Sequence, residues 1–177
     1  MRDLHFIPEC YIDTNLTETL LAGLSVNHQK GCGTVSVRMQ TNFSDDFAVG
    51  ILDKDKKDIN YLREFETISS TDHLILHKHP NKHHYIIQVV PAMENFLINA
   101  LAEIGLTVAD FDLPENFEKL KKRSKTVNSK DDPTFKKVFK RLMKEGASQI
   151  LILKEWLTYL HEKRYNVDLS KLRNIEG

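Results

Sequence analysis

The sequence predicts an α/β protein built on a parallel sheet, with an appended hairpin and C-terminal helices. Three observations predict it. Phe47-Ala48-Val49-Gly50-Ile51-Leu52 is an unbroken apolar run of strand length, the pattern of a central parallel strand buried on both faces. Met93, Phe96, Leu97, Ala100, Leu101 and Ile104 recur at helical spacing up to Gly105, which marks an amphipathic helix and its stop. Strand-like and helix-like segments alternate through the N-terminal part of the chain, as in other open α/β sheets.

Leu4 to Ile7, followed by Pro8-Glu9, reads as a short strand. Asn15-Leu16-Thr17-Glu18 has the form of a capping box with Asn as the cap, so a helix is expected there, with Leu16, Leu20, Leu21 and Leu24 on one face. Ser25 to His28 predicts a brief strand before the Gly31-Cys32-Gly33 turn, and Thr34 to Asn42 a short helix burying Val35 and Met39. After the apolar strand comes Asp53-Lys54-Asp55-Lys56-Lys57-Asp58, then an expected helix over Ile59 to Phe65. Leu74 to Leu76 and Tyr85 to Val90 read as strands around the turn His79-Pro80-Asn81-Lys82, a hairpin appended to the sheet. Pro91 suits the first position of the helix that Gly105 ends. Beyond the polar stretch Glu118 to Asp131, Asp132-Pro133 opens a helix with Phe135, Val138, Phe139, Leu142 and Met143 on one stripe, closed by Gly146. Ser148 then caps a last long helix through Lys163. These elements divide into an α/β core over residues 1–105 and a helical region over residues 106–177 packed on it.

A chain of 177 residues is long enough for a substantial core, and 41% hydrophobic with 28% charged residues excludes both a disordered and a membrane-spanning class. No apolar leader is seen, and Cys10 and Cys32 have no metal-ligand spacing, so a cytoplasmic, membrane-free protein with plain thiols is expected. Net charge is zero but unevenly spread: residues 1–60 hold nine acids against six bases, and residues 119–144 hold eleven bases against two acids. That asymmetry suits a polyanion, DNA or RNA, held next to a bound metal. Lys136, Lys137, Lys140, Arg141 and Lys144 fall opposite the apolar stripe of their helix and are the nucleic-acid-binding candidates. His73, His77, His79, His83 and His84 cluster around the hairpin, but no cysteine or acid accompanies them at fixed offset, so a polar hairpin surface is expected rather than a zinc site. A homo-oligomer or a partner protein is left open.

In an open parallel sheet, functional groups collect beyond the carboxyl ends of the strands. Glu9 closes the first strand there, and Asp53 and Asp55, two residues apart, follow the apolar strand and project to one side. Crowded carboxylates call for a neutralising cation, and hard oxygen donors favour Mg²⁺ or Mn²⁺. Asp13, beside Thr14 and Asn15, reads as a helix cap or a residue supporting the ligands.

A glutamate closing the first strand and an Asp-x-Asp closing a later apolar one resembles the Toprim (topoisomerase-primase) domain family. The closest likeness is to small Toprim-like domains of the overcoming-lysogenization-defect type of nuclease and of phage-defence proteins, and it covers residues 4–104. The likeness is carried by the phrase Leu4 to Asp13, by Val49-Gly50-Ile51-Leu52-Asp53-Lys54-Asp55, and by Glu94 early in a later helix. The resemblance implies a Rossmannoid sheet and Mg²⁺- or Mn²⁺-dependent hydrolysis of nucleic-acid phosphodiesters. It makes Glu9, Asp53 and Asp55 the catalytic residues and these three with Glu94 the metal-binding ones. One departure is Cys10, which stands where many members have Gly. Two other functions fit the acids: a non-catalytic module that binds metal or nucleic acid, and a phosphatase using Asp53 as nucleophile.

Overall fold

The computed structural model describes residues 2–54 and 59–175. Its centre is the apolar run, strand β4 (Ala48–Asp53), buried along its whole length. Strand β2 (Phe6–Pro8) pairs with it in parallel on one side, and β7 (His84–Val89) pairs with it in parallel on the other, Ala48 opposite His84 through Asp53 opposite Val89. Antiparallel β6 (Leu74–Lys78) and β5 (Glu66–Ser70) complete a mixed five-stranded sheet of order β2-β4-β7-β6-β5. A short parallel pair, β1 (Arg2–Asp3) with β3 (Ser25–Val26), lies outside β2, and the chain after β3 follows β2 through Asn27 N–H to Phe6 O (2.9 Å) and Gln29 N–H to Pro8 O (3.0 Å).

Alternation along the strands supplies both faces of the sheet. Ile7, Ala48, Leu52 and Ile86 pack with Val35 and Met39 of helix α2 (Cys32–Thr41) and with Tyr61 of a 3₁₀ turn (Asn60–Glu64). Gly50 lets α2 lie directly on β4, because a Cβ there would meet Met39 Sδ and Val35 Cγ1 at 3.1 Å. The other face carries Phe6, Val49, Ile51, Tyr85 and Ile87 against α1 (Tyr11–Leu20) and α3 (Met93–Glu103). Into the same core run Leu120 of α4 (Phe117–Ser124), Phe135 and Phe139 of α5 (Pro133–Glu145), Trp156 of α6 (Ser148–Lys163) and Leu172 of α7 (Leu169–Arg173). Residues on either side of position 105 therefore share one core.

Several elements differ from expectation. Helix α1 begins at Tyr11, with Thr14 N–H on Cys10 O, so Asn15 sits inside the helix and not at its cap. Its side chain instead donates to Ser129 O (2.8 Å) and Asp132 O (3.1 Å). The hairpin is not an appendage, since β7 is a central strand of the sheet. Strand β5, with a register shift between Thr67 and Ser69, was not predicted, and part of the polar stretch forms α4. Ala147, not Ser148, occupies the cap position of α6. Asp132 does cap α5, accepting from Thr134 N–H at 2.8 Å.

A polar clasp ties the two ends of the chain together. The buried Asp3 carboxylate accepts from His5 (2.7 Å), His161 (2.9 Å) and Arg164 (2.7 Å). Burial alone would raise the Asp3 carboxyl, but bonds from His5, the charge of Arg164 and the bond from His161 hold it below its usual value. A depressed carboxyl contributes stability that is complete above its unfolded value of about 3.9 and is lost as pH falls through the lower folded value. Asp3→Asn is expected to cost about 2 kcal/mol at neutral pH, because it leaves the Arg164 guanidinium without its buried anion and removes an acceptor from His5 and His161. It should also flatten the acid limb below about pH 4. Denaturant melts across a pH series would show this, and an unaltered acid limb would count against it.

Candidate metal centre

The carboxyl edge of β2 and β4 gathers three acids from three elements. Glu9 follows β2 and is fixed by backbone bonds on both sides, donating to Ile51 O (3.1 Å) and accepting from Gly31 N–H (2.9 Å). Asp53 ends β4; its N–H points to Glu9 Oε1 at 3.4 Å and its Oδ1 accepts from Met93 N–H at 3.0 Å, at the start of α3. A helix N-terminus favours a negative charge in that position. Asp13 lies in the first turn of α1. One carboxylate oxygen from each of Glu9, Asp13 and Asp53 lies within 4.8 Å of the others, and the residues are only 1%, 0% and 6% exposed.

Three buried carboxylates so close repel one another unless a cation or protons neutralise them. An all-oxygen donor set of this kind suits a hard divalent cation. Burial first, then the Asp13 carboxylate, push the Cys10 thiol well above its ordinary value. Thr14 Oγ1 donates its one proton to Cys10 O (2.7 Å) and must therefore accept from His28 Nδ1 (2.9 Å). This fixes the neutral tautomer of His28. Its pKa is lowered by burial, then by Lys130 and Lys30. Tyr11 stacks on the His28 ring, 4.3 Å between centroids at 19°. Together Glu9, Cys10, Tyr11, His28, Lys30, Gly31 and Lys125 line a cleft of about 310 Å³.

Of the acids singled out by sequence, the structure brings Glu9 and Asp53 together, while Asp55 lies outside the described residues. Glu94 is buried in the first turn of α3, where its Oε1 accepts from the Ser124 hydroxyl. Asp13 is the ligand candidate that sequence reasoning missed. Its signal was the four-residue step from Glu9, visible once the helix is started directly after the strand. His77, His79 and His84 are not a polar surface but buried pegs: His84 donates to Phe43 O (2.7 Å) and accepts from the Tyr61 hydroxyl (2.6 Å), His77 meets Gln88 (2.9 Å) and His79 meets Glu64 (3.1 Å).

The basic stripe of α5 occupies a different place. Lys137, Lys140, Arg141 and Lys144 line a separate groove of about 410 Å³ with Leu106 and Phe111. Lys136 and Lys140 flank Glu18, Ala22 and Gly23 at and just beyond the far end of α1. Lys30 and Lys125, by contrast, line the cleft with Glu9. Among the described residues no helix is long and apolar enough to cross a membrane. No protein-family model, curated protein or solved structure matches the chain.

Asp13→Asn removes one of three crowded charges while keeping the shape of the side chain. It should raise metal-free stability by on the order of 1 kcal/mol and abolish any stabilisation by Mn²⁺. Parallel melts in chelator and in Mn²⁺ test both halves, and a variant less stable than wild type in chelator would refute the crowding.

Proposed function

We propose that the chain is an Mg²⁺- or Mn²⁺-dependent hydrolase of nucleic-acid phosphodiesters, with Glu9, Asp13 and Asp53 as the metal ligands. The observation that carries this reading is the triad itself, buried carboxylates from three elements with oxygens within 4.8 Å, at the edge of the sheet where α/β proteins place their chemistry. A divalent cation there would lower the pKa of bound water and offset charge on phosphate oxygens. The chain's own groups complete the setting. Lys30 and Lys125, lining the cleft with Glu9, would attract the phosphate, and Asp53 is held by the amide of Met93. Asp55 remains a further candidate ligand. The likeness of Glu9 and Asp53-Lys54-Asp55 to the Toprim pattern supports the same reading and would place Glu9 as ligand or general acid/base.

One observation favours the second reading, a binding module without turnover. Cys10, in the position where many Toprim domains have Gly, puts a side chain directly beside Asp13, and burial and that carboxylate push its thiol up. Metal binding without cleavage would identify that case.

Mg²⁺ or Mn²⁺ at millimolar concentration is expected to raise the melting temperature, because a cation that binds only the folded state adds stability. Any cleavage of nucleic acid should require the metal and disappear in Glu9→Gln and Asp53→Asn while both variants stay folded. A wild type with no metal-dependent shift would remove the centre as drawn.

Position also separates the two basic regions. Lys125→Glu should lower cleavage about tenfold or more by opposing the phosphate at the metal. Charge reversal at Lys137, Lys140 and Lys144 should instead weaken binding of all sequences and flatten its salt dependence by about 0.7 to 0.9 per lost contact. Salt titrations of affinity and single-turnover rates, measured on both sets, would distinguish them. Equal effects of the two sets on the rate step would contradict this assignment.

A further inference from the structure

The wall of the cleft is aromatic as well as basic. Tyr11 is the first residue of α1 and is half-buried, with one face laid on the His28 ring. His28 is not free to turn, because its Nδ1 is held by Thr14, itself anchored on Cys10 O. The pair is thus a rigid platform at the mouth of the acidic centre. The Lys30 ammonium hangs 6.0 Å from the Tyr11 ring centroid, at the outer limit of a cation–π contact and within reach of a neighbouring anion. Lys125, directly after α4, lines the cleft as well.

Bases in a duplex are stacked on their neighbours and show a protein only their edges. A flat aromatic wall can be used only by a base that has left its stack, and such stacking is indifferent to sequence because every base has a π-face. The cleft volume of about 310 Å³ suits one small ligand unit and not a length of paired helix. Resting on the metal-dependent reading above, we propose that the substrate enters as an unpaired strand, one base stacking on the Tyr11–His28 platform while its phosphate is drawn by Lys30 and Lys125 toward Glu9.

The test uses the full chain with Ca²⁺ in place of Mg²⁺, and a labelled short single-stranded DNA followed by anisotropy beside the same sequence as a blunt duplex. The single strand is expected to bind about tenfold or more tightly than the duplex, and Tyr11→Ala to weaken it by about tenfold, the effect of losing one stacked base. Tyr11→Phe should keep wild-type affinity. Tyr11→Leu, which retains bulk without a π-face, should behave as Tyr11→Ala, and melts of all variants establish that they fold. Duplex binding as tight as single-strand binding, or single-strand affinity unmoved by Tyr11→Ala and Tyr11→Leu, overturns the proposal. Mn²⁺-induced stabilisation of wild type is scored separately. If it is present without single-strand preference, this inference alone fails, whereas its absence removes the metal centre itself.

Discussion

Where β4 ends decides most of what surrounds it. Asp53 is its last residue, and its two polar groups serve two neighbours, the N–H meeting Glu9 and the carboxylate meeting the first turn of α3. β2 is only three residues long and would be a weak strand alone, yet Glu9 is carried past its end by a bond to Ile51 O. The chain then turns at once into α1, and its first turn brings Asp13 back over the sheet edge. Each acid is locally well placed, one at a strand end and two at helix N-termini. Together they repel. The folded state thus contains a repulsion that a bound cation would relieve, and this is the physical ground for coupling metal to stability.

Much of this was legible in the sequence. The apolar run Phe47 to Leu52 could be read as a central parallel strand because no polar residue interrupts it, and the spacing of Met93 to Leu101 could be read as a helix because it repeats at one period. Glu9 and Asp53 could be paired because strand ends in such sheets converge. What could not be read was long-range pairing. Tyr85 to Val90 looks like one arm of a hairpin, and only its docking beside β4 makes it central. The error at Asn15 was chemical: the pattern Asn-x-x-Glu suits a cap, but the same amide can satisfy two distant carbonyls, of Ser129 and Asp132, when another part of the chain covers it. Placing the helix start too late hid Asp13. The histidines misled in the opposite direction, since a polar side chain with two ring nitrogens is well suited to burial when carbonyl, hydroxyl or amide partners are at hand.

The charge pattern along the chain was informative in sign and incomplete in place. A run of lysines and arginines over residues 119–144 folds into three settings, two of which share Lys140. Lys125 and Lys130 come near Glu9 and His28, Lys136 and Lys140 border the far end of α1, and Lys137 to Lys144 form the rim of the groove over Leu106 and Phe111. Linear density alone cannot tell these apart, because a helix distributes successive residues around its axis.

That separation gives the C-terminal region a definite part in the candidate site. Lys125 is the residue after α4, and α4 is anchored at this end by Ser124, whose hydroxyl donates to the buried Glu94. The buried Ser129, five residues further on, donates to Ser124 O, while its own carbonyl receives Asn15 from α1. Glu94 and Asn15 thus grip the 124–132 segment from α3 and α1, the two helices beside the acidic cluster. Glu94, expected among the ligands, accepts from Ser124, the residue before Lys125. Two successive residues at the start of α3 thus face the two sides, Met93 N–H on Asp53 and Glu94 under Ser124, so a change in α4 reaches, through Ser124, the cleft that Glu9 and Lys125 line.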